Sequence, residues 1–385
     1  MFGQTLQITL MNLSSIRYRL GTSSVIVVGI AGVVAVLVSL LALSYGFQET
    51  VRNTAREDRG LVMRRGSANE WLSYVPHNTI TMLQDLDEVV LASGEFLRRT
   101  QLIDKQSLTK HSGTVRSMDA DGLRLRPEIK LSHGRMFEPG KFEVIVGRRL
   151  VETFQRLEIG DAIVDYNGEL EIVGHFESSG SALESEILTD LATAHSFYKT
   201  RMVNVVRIRL ADTSQEPELR ETLKNDPRGN TELRMEKELY AEGAKERATV
   251  IESFAYWLVG IMALGAFTAA LSTMYSAIQA RTVEFAILRA IGFSTVPLVT
   301  SILVEGMLLA TLGAMIGGGV IWLTVDGLQT VTNDINYALV SFNLSVTGQA
   351  IWAGIGLGLL LGFLGALFAA IRAIRLPVTS GLVPL

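Results

Sequence analysis

At 385 residues, 48% of them hydrophobic, and with a positive mean hydropathy of +0.30, the chain is too apolar for an ordinary soluble domain. Its net charge of −4 gives no reason to expect nucleic acid as a partner. It has no cysteine, so neither a disulfide nor a thiolate metal site can be built.

Residues 1–20 place Phe2, Leu6, Leu10, Leu13 and Ile16 at helical spacing and end in Arg17 and Arg19. This pattern predicts an amphipathic helix lying along the inner membrane face, or else an extension of the first span. Residues 21–47 then carry no charge and are rich in Val, Ile and Leu. About 20 such residues cross a bilayer, so this is the first span. It is too long for a signal core, and no small-residue cleavage site follows.

Residues 48–251 are dense in charge and hold no run long enough to cross. Short β-rich pieces recur at Glu88–Ala92, Phe142–Val146, Ala162–Tyr166, Leu170–Val173 and Val203–Leu210. Tyr166-Asn167-Gly168-Glu169 reads as a hairpin turn. Helical patches are predicted at Arg148–Leu157, Leu191–Lys199 and Glu216–Leu223, giving a mixed α+β domain. Glu236–Glu252 is predicted helical and runs as a stalk straight into the second span, residues 253–280, with Trp257 as an interfacial anchor.

Residues 281–292 form a short polar helix between two apolar segments, with Val283, Ile287 and Ala290 on one stripe. Gly292 is its natural C-terminal stop. Such a helix is a handle on which something outside the membrane can push. The third span covers residues 297–325 and is interrupted only by Glu305. A carboxylate at mid-membrane costs roughly 2.5 kcal/mol or more, which favours Glu305 at the inner headgroup boundary. A short loop, residues 326–345, precedes the fourth span at 346–371 and a tail at 372–385.

Basic residues set the orientation. Arg17, Arg19, Arg281, Arg289, Arg372 and Arg375 all fall on one side, and the 326–345 loop has no Lys or Arg. Both termini are then cytoplasmic and residues 48–251 extracytoplasmic. The fold class expected is an α-helical membrane protein, four transmembrane helices with a large α+β domain between the first and second. Gly313 and Gly317, and likewise Gly354, Gly358 and Gly362, recur every four residues. This spacing suits close packing of spans three and four, or of two chains.

The chain offers little chemistry of its own. It has no phosphate-binding Gly-x-x-x-x-Gly-Lys-Ser/Thr loop, no His-Glu-x-x-His pair and no Gly-x-Ser-x-Gly elbow. His77, His111, His133, His175 and His195 lie in the outer domain at scattered spacings, which predicts no metal site. The spans hold no relay of acids and histidines. No catalytic residue is expected, and work must come from a partner.

Arg281-Thr282-Val283-Glu284-Phe285-Ala286-Ile287-Leu288-Arg289-Ala290-Ile291-Gly292 resembles the coupling segment of the MacB/FtsX-like permeases of ABC transporters, the mechanotransmission class. Glu143-Val144-Ile145-Val146-Gly147, Ile159-Gly160-Asp161, Ile172-Val173-Gly174 and Ser185-Glu186-Ile187 resemble the family's periplasmic core. Arg372-Ala373-Ile374-Arg375-Leu376-Pro377-Val378 is similar to its C-terminal tail.

The resemblance implies an inner-membrane homodimer served by two copies of a separate ABC ATPase, which carries the ATP and Mg; no cofactor is implied in this chain. Arg281, Glu284, Leu288, Arg289 and Gly292 would form the ATPase-docking surface, with Glu305 at the ATPase-facing end of span three. Arg281 and Arg289 would equally serve as topology anchors alone. The implied function is export or extraction of a hydrophobic or amphipathic substrate such as a lipid, lipoprotein or toxic compound, with a periplasmic adaptor. The alternative is a non-transporting permease that activates a periplasmic partner such as a cell-wall hydrolase.

Overall fold

The computed structural model describes residues 20–226, 230–280, 294–333 and 339–374, together with Thr282, Val283 and Ile287. Helix α1 (Leu20–Thr54) is followed by β1 (Arg59–Arg64), α2 (Asn78–Gln84) and the long strand β2 (Val89–Ile103), which turns into β3 (Lys110–Met118). Next come α3 (Ala120–Leu125), β4 (Lys130–Gly134), β5 (Glu143–Gly147), α4 (Arg148–Thr153), β6 (Ala162–Asp165) and β7 (Gly168–Glu177). They lead to β8 (Glu186–Asp190), α5 (Leu191–Phe197), β9 (Val205–Leu210), α6 (Glu216–Asn225) and β10 (Thr231–Met235). The chain continues through α7 (Glu236–Gln279), α8 (Thr295–Val325), the strands β11 (Gln329–Asn333) and β12 (Leu339–Asn343), and α9 (Gly348–Ile374).

The chain divides into two compact units. One gathers the long apolar helices. Among the described residues, four segments are long and apolar enough to cross a membrane: Ser23–Thr54, Glu236–Gln279, Thr295–Val325 and Gly348–Arg372. Along α1, Ile26, Ile30, Val33, Val34, Leu37, Val38 and Leu41 repeat with helical period and are buried against Val259, Met274, Ile302, Leu309 and Ala314 of the other helices. The Ser44 hydroxyl donates to Glu252 Oε1 at 3.0 Å, joining α1 to α7. The Arg372 guanidinium lies 4.6 Å from the centre of the Tyr275 ring, joining α9 to α7.

The other unit contains residues 47–248 and 329–343. Its sheet is ten-stranded, ordered β10-β1-β9-β2-β3-β8-β5-β7-β4, with β6 paired to β7. Only the β3–β8 and β5–β7 pairs are parallel. Strand β2 is the spine: Val89–Glu95 pair with β9, and Phe96–Ile103 pair with β3. Every residue of β5 is buried, which is why its centre, Val144-Ile145-Val146, is an unbroken apolar run. In the β6–β7 hairpin Asp165 pairs with Gly168, leaving a two-residue turn of Tyr166 and Asn167. Gly168 takes φ +142, which a side chain would resist.

The 326–345 segment, read from sequence as a plain loop, contains the antiparallel hairpin β11–β12. The hairpin belongs to the sheet-containing unit although the helices on either side of it belong to the other. The β-branched Thr330, Val331, Thr332 and Val340 and the aromatic Phe342 are the local reason for strands.

Candidate coupling site

The predicted docking residues Arg281, Glu284, Leu288, Arg289 and Gly292 lie outside the described residues. Of the same segment, Val283 and Ile287 are helical and expose 56% and 46% of their surface. They stand four residues apart, so they present one apolar stripe. Glu305 sits on the inward face of α8 with Ser301, Ile302 and Leu309, and its side chain is buried.

The five candidate packing glycines divide between two neighbours. A Cβ on Gly313 would stand 2.7 Å from the Val27 carbonyl oxygen, and one on Gly317 would overlap the Ala31 carbonyl, so both face α1. Gly354 also faces α1, where a Cβ would stand 2.8 Å from Val34 Cγ1. Gly362 faces α8, where a Cβ would overlap Ala310, and Gly358 lies between the two, where a Cβ would stand 2.9 Å from Ala314 of α8 and 3.2 Å from Ile30 of α1. Small residues at these positions let helix backbones approach directly.

Sequence reasoning missed the most concentrated chemistry of the molecule, a buried ionic network in the sheet-containing unit. Glu95 of β2 is fully buried and lies between three arginines. Arg116 of β3 approaches it at 2.6 Å, Arg126 at 2.5 Å and Arg207 of β9 at 2.7 Å. Arg116 also binds Glu70 at 2.8 Å and Glu186 at 2.6 Å. Burial alone would raise the Glu95 pKa, but the fields of Arg126, Arg207 and Arg116 outweigh it and hold the carboxyl well below its usual range. Glu70 is likewise burdened by burial and likewise held low by Arg116 and Arg207.

The network extends to the residues where the two long helices leave this unit. Glu236 opens α7 directly after β10 ends at Met235. Its carboxylate accepts from Arg207 and, at 2.9 Å, from Arg59 Nε. It also accepts the Arg56 backbone N–H at 3.0 Å. Arg59 donates onward to the Thr54 carbonyl at the end of α1 (3.0 Å) and to Glu128 (2.7 Å). Tyr240, one turn along α7, donates to Glu70 at 2.8 Å. The end of α1 and the beginning of α7 are thus tied to each other and to strands β1, β2, β3, β8 and β9 by hydrogen-bonded charges.

The β11–β12 hairpin has its own anchor. Arg149 of α4 donates to the Ser341 carbonyl and pairs with Glu184 at 3.3 Å. The Ser341 N–H donates to Ser185 Oγ at 2.9 Å. Phe342, fully buried, stands edge-on to Phe47 with ring centres 5.6 Å apart.

The only local signal for the network was arginine inside strand-like runs, as in Val205-Val206-Arg207-Ile208-Arg209-Leu210. Alternation assigns Arg207 to a solvated face, but in the fold Glu70, Glu95 and α7 cover it. Among the described residues, no three His, Asp or Glu side chains gather as a metal site would require.

A family model described as the MacB-like periplasmic core domain matches residues 23–226, and one described as the FtsX-like permease C-terminal matches residues 256–378. No curated protein matches the chain. Among solved structures it is similar to the periplasmic region of MacB from Actinobacillus actinomycetemcomitans, with 10% identity and a TM-score of 0.36 over 49% of this chain and 94% of that one. It is also similar to the extracellular domain of the noncanonic ABC-type transporter YknZ from Gram-positive bacteria, with 12% identity and a TM-score of 0.35 over 46% and 99% of the two chains. A domain of a permease protein from Porphyromonas gingivalis matches at 15% identity and a TM-score of 0.31, over 46% and 87%. With its core-domain match spanning over half its length, this chain belongs to the MacB/FtsX-like family of ABC transporter permeases.

Proposed function

We infer that this permease converts ATP hydrolysis by a separate cytoplasmic ATPase into motion of its outer domain, and so exports or extracts a hydrophobic or amphipathic substrate. Both termini are cytoplasmic in this reading and residues 48–251 periplasmic, as the arginine flanks favour. Two permease copies and two ATPase copies form the working assembly, with a periplasmic adaptor. ATP and Mg belong to the ATPase.

The observation that carries the reading is the absence of slack where α1 and α7 meet the sheet. Four residues separate Thr54 from Arg59, none separates Met235 from Glu236, and Glu236 binds Arg59 and Arg207. A helix joined to its load by buried ion pairs transmits displacement, whereas a flexible linker would absorb it. The exposed stripe of Val283 and Ile287 supports docking of an ATPase on the segment between α7 and α8.

Glu284→Lys or Leu288→Asp in the reconstituted permease–ATPase complex should leave ATP hydrolysis running while substrate delivery falls at least tenfold. Unchanged delivery in both variants would remove the docking assignment. Delivery of no substrate by the wild type, together with ATP-dependent activation of a cell-wall hydrolase, would replace export with the non-transporting function.

A further inference from the structure

We propose that the β11–β12 hairpin is a strap through which α8 and α9 pull on the outer domain, a second load path beside the one formed by α1 and α7. The strap presupposes the ATP-driven stroke inferred for this permease. The segment inferred to meet the ATPase joins α7 to α8, so a stroke there enters both helices. Helix α7 delivers its share through Glu236, and the hairpin is the outlet at the other end of α8.

The strap has no slack at its base. Only Asp326, Gly327 and Leu328 separate α8 from β11. Gly327 N–H donates to the Leu344 carbonyl at 2.9 Å, and Leu344 N–H donates to the Leu328 carbonyl at 2.8 Å. The ladder that runs from Asn333–Leu339 to Gln329–Asn343 therefore continues almost to the end of α8. On the approach to α9 the Asp326 carboxylate accepts the Val346 N–H at 2.9 Å. A ribbon closed in this way passes displacement on, whereas a coil of the same length would absorb it.

The grip on the outer domain is at Ser341. Arg149 donates to its carbonyl and its N–H donates to Ser185 Oγ, so both backbone groups of one β12 residue are held. From the facing strand, Gln329 Nε2 donates to the Ser341 hydroxyl at 2.9 Å. The gripping groups are themselves fixed. Glu184 Oε1 accepts the Ser178 and Gly180 N–H groups at 2.7 and 2.8 Å, while its other oxygen pairs with Arg149. A Cβ on Gly147, at the start of α4, would overlap the Glu184 backbone, so glycine there lets the 182–185 turn seat beside Arg149. In the same turn Ala182 N–H donates to Thr54 Oγ1 at 2.9 Å, so the turn that receives the strap also receives the end of α1. Arg149, Glu184, Ser185, Ser341 and Phe342 are all buried. Charge-assisted bonds shielded from water make this a lasting hold, one that travels with the outer domain through the stroke.

The test uses the full-length dimeric permease with its ATPase, spin-labelled at Tyr166→Cys, a fully exposed site in a chain without cysteine. Trapped ATP should shift the label-to-label distance relative to ADP. Arg149→Met should reduce that shift at least twofold. Ser341→Pro should do the same: it removes the N–H given to Ser185 and, because that N–H points away from β11, no bond of the ladder. It carries the test should Arg149→Met fail to fold. Arg148→Met, which removes an exposed pair with Glu152 and Glu177, should keep the full shift.

Hydrogen exchange separates a freed strap from a damaged domain. In Arg149→Met the Ser341 amide should exchange at least tenfold faster while the amides of β2 and β9 keep wild-type rates. A full wild-type shift in both Arg149→Met and Ser341→Pro would overturn the strap and leave the α1–α7 path standing. In the wild type, faster Ser341 exchange with trapped ATP than with ADP would also overturn it, since the grip would then open during the stroke. No shift in the wild type would remove the ATP-driven reading itself, and the strap with it.

Discussion

In the membrane unit helices meet at glycines, with Gly317 against the Ala31 carbonyl and Gly362 against the Ala310 methyl group. In the sheet-containing unit elements meet at charges, with Glu95 enclosed by Arg116, Arg126 and Arg207. The solvent explains the contrast. Lipid offers no hydrophobic drive between helices, so van der Waals fit decides their association. In water, apolar burial already drives collapse, and a satisfied buried ionic network specifies one arrangement among many compact ones. On the proposed function the second device has a further use: it is directional, and it fixes Glu236 and Arg59 against one another.

The largest way to break this comparison is Glu95→Ala. It leaves Arg126 and Arg207 buried without their main counter-charge, and breaking such a site costs about 3–5 kcal/mol. Denaturant unfolding of the variant should show that loss; a cost below about 1 kcal/mol would mean the network is not structural. On the membrane side, Gly317→Ala forces α8 off α1 and should cost about 1–3 kcal/mol. Gly319→Ala, where a Cβ meets nothing within 4 Å, should change stability by less than about 0.5 kcal/mol. Equal effects from the two glycines would refute packing by shape.

A smaller effect than that of Glu95→Ala or Gly317→Ala concerns a rim pair. The Arg135 hydrogen bonds, placed at 2.7 Å, lower the Glu143 carboxyl from 4.5 to about 2. Because the folded pKa is depressed, this stability is complete above about pH 4.5 and disappears as pH falls towards 2. Arg135 is 49% exposed, so solvent screening keeps the contribution of the pair small. Arg135→Gln should lower the unfolding midpoint at pH 7 and flatten its fall between pH 4.5 and 2. An unchanged acid profile would show that the pair contributes nothing.

The spans were legible because charge-free apolar runs of this length have one physical use. The predicted strands at Ala162–Tyr166 and Phe142–Val146 fall on β6 and β5, whose apolar positions mark them locally. Glu88–Ala92 found only the start of β2, because Glu95, Arg98 and Arg99 break its apolar pattern. Strand β3 was missed for the same reason: Arg116 is buried among carboxylates contributed by residues 21, 46 and 70 positions away. Compensation at that range leaves no local trace. The β11–β12 hairpin was missed because its burial depends on Arg149 and Ser185, far away in the chain.

The central claim, that an ATP stroke reaches the outer domain through the helices, is most directly tested by distance. The chain has no cysteine, so Glu221→Cys on the exposed face of α6 gives a single labelling site per permease copy. Spin labels there, measured by double electron–electron resonance in the dimeric permease–ATPase complex, should show a different distance distribution with trapped ATP than with ADP. Leu288→Asp should abolish the difference. Identical distributions in the two nucleotide states of the wild-type complex would contradict the account.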